Sequence, residues 1–392
     1  MKIISFIPIP FFEAGNFAHR DLGLVTLGFR ALGVDAWFAT LPGDSLPKEK
    51  FFLTPSRNDV ADSRWWKQQK ADGILINTWS SPRFDDIRSA VCAVGCPVVE
   101  KLDTDGVKSP KIYPVHSFRR GWVDFDRRHF FKSRLPKTLY AVLRFVGNGL
   151  FPFLIDKKMI RCMQKVPYFA AETPLAAERV RRFLAIYSAR PMPKVFHIPH
   201  PVDTQTMFFS KDVNKSNLVV AVGRWHDAVK GWPLLERLSC LFLTQNPTWK
   251  IVAIGSGSKE LGQQLERRFP LRFQGLGNIS HYEIGKVFQR AKIYLLTSHS
   301  ETFNIAAAEA VCCGCSFVGP TQIPSSAYFS CANSGTVSHL RKAVHMLDAL
   351  NAEVGEWSRG RRNPLEISKF WESEVGYKQV ASQYLQIFTK VS

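Results

Sequence analysis

The chain is short of negative charge: 33 Asp and Glu stand against 52 Lys and Arg, a formal net charge of +19 over 392 residues. Such a balance points to an acidic partner, whether nucleotide phosphates, nucleic acid or an anionic membrane. Long apolar runs are also missing. The most apolar later stretch, residues 139–155, is broken by Arg144, Gly147, Gly149 and Pro152, which argues against a spanning helix. The start, MKIISFIPIPFF, has one Lys, Pro8 and Pro10 but no small-residue cleavage site, and reads as a first strand rather than a signal peptide. There are eight cysteines, and without an export signal they read as reduced thiols of a cytoplasmic protein. Cys312, Cys313 and Cys315 surround Gly314 without the paired spacing of a zinc site, and read as small apolar packing at a helix end. Repeats of solenoid length and low-complexity tracts are absent, and 45% hydrophobic residues exclude wholesale disorder.

What is present is alternation. Short apolar runs (IISFIPI, VDAWFAT, GILIN, CPVVEKL) alternate with helical patterns, and a second series restarts near Asn217 with NLVVAVGR, WKIVAIGSG, LRFQG, KIYLLTS and CSFVGP. Two such series predict two doubly wound α/β domains with parallel sheets, joined through the Pro-, Asp- and Ser-rich stretch VFHIPHPVDTQTMFFSKDVNKSN. Ligands of these folds bind outside the carboxyl ends of the strands, so a cleft between the domains is the expected site.

Several residues in the second half have the chemistry for an anionic ligand. Arg224 follows a strand and Gly223, and Lys230 comes six residues later at a helix start; two cations there can hold a diphosphate without a metal. Gly255-Ser256-Gly257 ends another strand, where missing side chains let backbone approach a ligand. In TSHSETFNIAAAEAVCCG, Glu301 falls in a loop, Asn304 to Cys313 forms a helix stopped by Gly314, and Glu309 sits inside that helix among alanines. Glu301 either caps a turn or accepts from sugar hydroxyls. Glu309 either pairs with a basic neighbour or takes the two donors of a ribose diol, since a buried carboxylate needs donors. Free N–H groups near Phe303, Asn304 and Ile305 would face an anion.

The order GR-x5-KG, G-x-G after a strand, F-x-G in RFQGLG, and TSHSETFNIAAAEAVCCG resembles glycosyltransferases of the GT-B fold, specifically family 4, over most of residues 215–320. The resemblance implies two Rossmann-like domains facing a cleft. Residues 1–205 would bind the acceptor, 206–370 the nucleotide sugar, and 371–392, with WESEVGYKQVASQYLQIF, would be a helix returning to the first domain. It further implies that Arg224 and Lys230 bind the diphosphate, Glu309 the ribose, and Glu301 with the backbone of Phe303, Asn304 and Ile305 the donor sugar and its phosphate, with retention at the anomeric carbon and no metal or other cofactor. In the first half the likeness is one of outline. Gly15, in Glu13-Ala14-Gly15-Asn16, stands where relatives carry a glycine pair, and Leu102-Asp103 stands where many have His-Asp. A catalytic His is then missing or supplied from elsewhere, and His116 is the candidate. Asp103-Thr104-Asp105 reads as a strand-ending turn before Gly106 rather than a metal site.

Residues 108–165 hold 14 basic and 3 acidic side chains. Arg119, Arg120, Arg127 and Arg128 interleave with Trp122 and other aromatics, a pattern suited to an anionic membrane surface or acceptor; LIDKKMIRCMQK either rests in a membrane interface or covers the sheet. No nucleic-acid module accompanies these residues. The expected activity is therefore a retaining transfer from a nucleotide sugar to a hydroxyl of a surface glycan or glycolipid, of the lipopolysaccharide or capsule kind, by a peripheral protein at the inner face of the cytoplasmic membrane. The alternative is a non-catalytic, basic membrane-associated protein that keeps the fold.

Overall fold

The computed structural model describes residues 1–10, 20–43, 50–108, 152–187 and 189–391, with side chains from 156 onward in the helix that opens at Pro152 and no further than 390. The described chain divides into two compact units. The first takes residues up to Asp203 and those from Glu374 on, and the second runs from Thr204 to Ser373.

The first unit runs β1 (Lys2–Pro10), α1 (Asp21–Ala31), β2 (Asp35–Leu41), β3 (Phe52–Leu53), α2 (Arg57–Val60), α3 (Ser63–Gln68), β4 (Gly73–Ile76), α4 (Asp85–Cys92), β5 (Val98–Leu102), α5 (Pro152–Met163), β6 (Tyr168–Ala171), α6 (Pro174–Ile186) and β7 (Lys194–His197). Its seven-stranded sheet has the order β3-β2-β1-β4-β5-β6-β7, parallel throughout. The central strands are buried on both faces, which is why β4 reads as a continuous apolar run rather than an alternating one.

The second unit runs β8 (Ser216–Val222), α7 (Trp232–Gln245), β9 (Lys250–Ile254), α8 (Ser258–Arg268), β10 (Phe273–Gly277), α9 (His281–Arg290), β11 (Ala291–Leu295), α10 (Ile305–Cys312), β12 (Ser316–Pro320), α11 (Pro324–Phe329), β13 (Gly335–Ser338), α12 (Ala343–Ser358) and most of α13 (Pro364–Val375). Its six parallel strands are ordered β10-β9-β8-β11-β12-β13. Here β8 has β9 on one side and β11 on the other, so the crevice where strand order reverses opens beyond the carboxyl ends of β8 and β11. The last helix, α14 (Tyr377–Val391), belongs to the first unit and lies across α1. The helices meet at Gly28, where a Cβ would stand 2.4 Å from the Tyr377 carbonyl oxygen and 2.7 Å from Ala381 Cβ.

Of the two readings of LIDKKMIRCMQK, helix α5 takes the one that covers the sheet. Ile160 and Met163 are buried in the first unit's core with Met159 packed against them, while Lys157, Lys158 and Arg161 face solvent. That apolar side is already covered by protein. Among the described residues no helix is long and apolar enough to cross a membrane. The Asp103-Thr104-Asp105 triplet builds a turn: Thr104 Oγ1 accepts from the Gly106 amide and Asp105 Oδ1 from the Val107 amide, each at 3.1 Å.

Strand β5 carries two fully buried charges, each with a partner, because an unpaired ion in the interior costs several kcal/mol. Glu100 accepts from Thr78 Oγ1 at 2.5 Å, the Ser80 amide at 2.8 Å and Arg88 Nε at 3.1 Å. Lys101 Nζ lies 2.6 Å from Glu172 Oε1 and 2.9 Å from Asp21 Oδ1, and His200 Nε2 is 3.7 Å from that same Asp21 oxygen. Burial pushes the Glu172 carboxyl up to about 8. Burial, reinforced by the Lys101 charge, pushes the His200 imidazole down to about 4.

The His200 shift has a definite sign. With a folded-state value near 4 against an ordinary 6.5, the folded chain binds fewer protons than the unfolded chain between these limits, so stability falls as pH drops through that window. The contribution is about 3 kcal/mol across it. Glu172, raised from 4.5 to about 8, works in the opposite sense over the upper part of this range, so the His200 effect is read as a difference: from pH 6.5 to pH 4, Tm should drop more in the wild type than in His200→Asn, which cannot titrate. An equally steep fall in the variant would place the acid sensitivity elsewhere.

Candidate active site

The site forms around the exits of β8 and β11. After β8 the chain turns through Gly223 and a short 3₁₀ turn at Ala228–Lys230, capped by Asp227, whose Oδ1 accepts from the Val229 amide. Gly231, at φ 74°, then starts α7. After β11, Thr297 Oγ1 donates to the Lys230 carbonyl oxygen at 3.0 Å and the His299 amide donates to the Val229 carbonyl oxygen at 2.7 Å. These two bonds lash the segments together.

Across that junction Lys230 Nζ donates to Glu301 Oε1 at 2.7 Å, and Ser298 Oγ donates to the same oxygen at 2.5 Å. The lysine side chain is 20% exposed and the glutamate 13%, so the pair is sheltered yet open on one side. Glu301 lies in the loop before α10, four residues ahead of the helix. A cation, a carboxylate and a hydroxyl thus converge from segments 71 residues apart.

Asn304 caps α10 in the left-handed region, at φ 70°, where a short polar side chain is tolerated. Its Oδ1 accepts from the Ala307 amide at 3.3 Å and from the Tyr294 hydroxyl at 3.1 Å. Burial pushes the Tyr294 phenol up, and the charges of Glu301 and Glu309 add to the effect. Phe303 is buried against Phe329, so only its backbone is available to a ligand; Ile305 opens the helix. Glu309, one turn further in and 15% exposed, accepts from His281 Nε2 at 2.8 Å. His281 is the first residue of α9, whose Ser280 and Glu283 form a reciprocal capping box. The basic neighbour that Glu309 requires is therefore present in the chain.

The remaining positions behave differently. Arg224 is 76% exposed, with Asp227 3.8 Å away. Gly255, at φ 108°, serves backbone contact: a Cβ there would lie 2.1 Å from the Gly223 carbonyl oxygen. At Gly257, φ 85°, a Cβ would meet the His226 ring at 2.8 Å. The two glycines let the β8 and β9 exits close on one another. Cys312, Cys313 and Cys315 are buried, and Cys315 Sγ donates to the Phe288 carbonyl oxygen at 3.1 Å. Gly15, His116, Arg119, Arg120, Trp122, Arg127 and Arg128 lie outside the described residues. Among the described residues no group of His, Cys, Asp and Glu is arranged to hold a metal.

Sequence reasoning missed His281, Thr297, Ser298 and Arg341. Arg341 Nε donates to the carbonyl oxygens of Thr297 and Ser298, each at 2.9 Å. The capping pattern Ser280-x-x-Glu283 is a local signal that could have placed the start of α9 and His281 with it, but nothing local pairs that histidine with a residue 28 positions away.

Comparison with known proteins follows the same outline. Residues 203–326 match the family model of glycosyl transferases group 1, a stretch that contains Arg224, Lys230, Glu301 and Glu309. No curated protein sequence matches the chain. Solved structures with the same architecture include sucrose-phosphate synthase from Thermosynechococcus elongatus, at 13% identity and TM-score 0.63 over 100% of this chain and 99% of that one. Anabaena HepE in complex with UDP-glucose aligns at 12% identity and TM-score 0.62 over the whole of both chains. The lipopolysaccharide outer core galactosyltransferase WaaB, in its apo form, aligns at 14% identity and TM-score 0.63, also over the whole of both. At these identities the likeness concerns the fold, which is GT-B: two Rossmann-like α/β units, the second of them carrying a glycosyl transferases group 1 domain at residues 203–326.

Proposed function

We propose that the protein is a retaining glycosyltransferase that moves a sugar from a UDP-sugar to a hydroxyl of a surface glycan or glycolipid at the inner face of the cytoplasmic membrane. The observation that carries this reading is the Lys230–Glu301 pair at the strand-order reversal of the second unit. The uridine base is supported by HepE, which shares the fold and binds UDP-glucose. The glycan acceptor is supported by WaaB, a lipopolysaccharide galactosyltransferase of the same fold.

In this reading the donor diphosphate enters beyond the ends of β8 and β11 and takes over Lys230, which is held by Glu301 in the structure. Glu301, released, accepts from hydroxyls of the donor sugar, together with the backbone of Phe303, Asn304 and Ile305. Glu309, steadied by His281, accepts from the ribose. Arg224, exposed and on a short loop, closes onto the diphosphate from the other side. The bond from the anomeric carbon to the diphosphate breaks while the acceptor oxygen bonds on the same face, its proton passing to the departing diphosphate oxygen, and the two cations stabilise the charge that develops on the leaving group.

Leu102 favours the second reading, a non-catalytic protein of the same fold, because the side chain in the place of a donor-side histidine is wholly buried in the first unit's core. Turnover separates the two. A UDP-sugar hydrolysed or transferred by the purified chain supports the enzyme, whereas UDP binding without any turnover supports the second reading.

Thermal-shift screening against UDP, GDP and ADP should give a rise in Tm with UDP, because a ligand that binds only the folded state stabilises it by mass action. Lys230→Ala should weaken UDP binding about tenfold to a hundredfold, the size of a lost charged hydrogen bond. Unchanged affinity would remove Lys230 from the diphosphate site. For the membrane face, replacing Arg119, Arg120, Arg127 and Arg128 together with Gln should weaken binding to phosphatidylserine-containing vesicles, at about 1 kcal/mol per charge. Equal binding by the variant would place the membrane contact elsewhere.

A further inference from the structure

We infer that Arg341 is a positioning residue of the donor site, holding the loop after β11 so that Lys230 and Glu301 meet where the diphosphate binds. The inference rests on the donor reading above and adds to it a residue from a distant part of the chain.

Strand β11 ends at Leu295, so the carbonyl groups of Thr297 and Ser298 lie past its ladder and need donors from elsewhere. Arg341 supplies them. It lies between β13 and α12, two strands across the sheet from β11, and its Nε donates to both oxygens at 2.9 Å. The two residues it grips are the ones whose hydroxyls build the site. Thr297 Oγ1 holds the Lys230 carbonyl and Ser298 Oγ holds the Glu301 carboxylate.

The guanidinium also lies against the start of α7. A Cβ at Gly231 would stand 2.2 Å from Arg341 Nη2 and 2.4 Å from the Thr297 carbonyl oxygen, so the glycine leaves room for both. Gly231 directly follows Lys230, and Arg341 therefore braces both halves of the junction at once. No carboxylate among the described residues pairs with this half-buried cation, and burial alone pushes its pKa down to about 10. Such a cation is costly unless its contacts are needed: its Nε–H is shared between two carbonyl dipoles, and its Nη2 lies over Gly231, the residue after Lys230. Lysine keeps the charge but loses the planar fork that reaches over the glycine.

The test is UDP affinity measured by titration calorimetry on the full chain for wild type, Arg341→Ala, Arg341→Lys and Lys230→Ala, with and without millimolar guanidinium chloride. Arg341→Ala should weaken UDP binding about tenfold or more, the scale of a charged hydrogen bond. Arg341→Lys should fall between it and wild type. Guanidinium should restore affinity to Arg341→Ala and not to Lys230→Ala, a rescue that loss of general packing would not give. Unchanged affinity in Arg341→Ala, or a loss in both Arg341 variants that guanidinium leaves untouched, would overturn the inference. Wild-type protein that binds no nucleoside diphosphate would remove the donor reading and this inference with it.

Discussion

Lys230 and Glu301 are 71 residues apart in sequence and 2.7 Å apart in space, and the second unit is arranged around that meeting. A parallel sheet brings strand exits to one edge, and the reversal of strand order between β8 and β11 leaves a gap at that edge where loops turn toward each other. Everything near the gap serves closeness. Gly223, Gly231 and Gly255 lack the side chains that would hold the segments apart, and Thr297 and His299 stitch one exit to the other. An ion pair of this kind, sheltered but not sealed, is an exchangeable contact. It satisfies both groups, and each can be released to a ligand that offers a better partner.

The first unit uses buried charge for a different purpose. Lys101, Glu172, Asp21 and His200 come from the end of β5, the segment after β6, the start of α1 and the segment after β7. Their interactions tie four strand and helix ends into one cluster. A lysine, the Asp21 carboxylate, a Glu172 carboxyl raised by burial and a neutral imidazole share one buried space, so each group's protonation is set by burial and by its neighbours. Arg88 and Glu100 do the same one strand position earlier, with Thr78 and Ser80 completing the carboxylate's hydrogen bonds.

Much of this was legible in the sequence, and the boundary is physical. Strands of a parallel sheet leave short apolar runs and the helices that cover it leave periodic patterns between them, so the two α/β halves could be read directly. The loop position of Glu301 and the helical position of Glu309 followed from the Asn304 cap and the Gly314 stop. Partnerships were not legible. The bond from His281 to Glu309 and the grip of Arg341 on residues 297 and 298 join segments brought together only by crossovers, and no periodicity encodes them. Amphipathic spacing left two readings open at α5, because a helix covering a sheet and a helix lying on a membrane show the same alternation; only the core around Ile160 and Met163 separates them.

The most direct measurement is a crystal structure of the chain with UDP bound. The account predicts that Lys230 Nζ moves from Glu301 onto a β-phosphate oxygen, that Glu301 turns toward the space a donor sugar would fill, and that Glu309 meets the ribose. A nucleotide bound elsewhere, with Lys230 and Glu301 still paired at 2.7 Å, would contradict it.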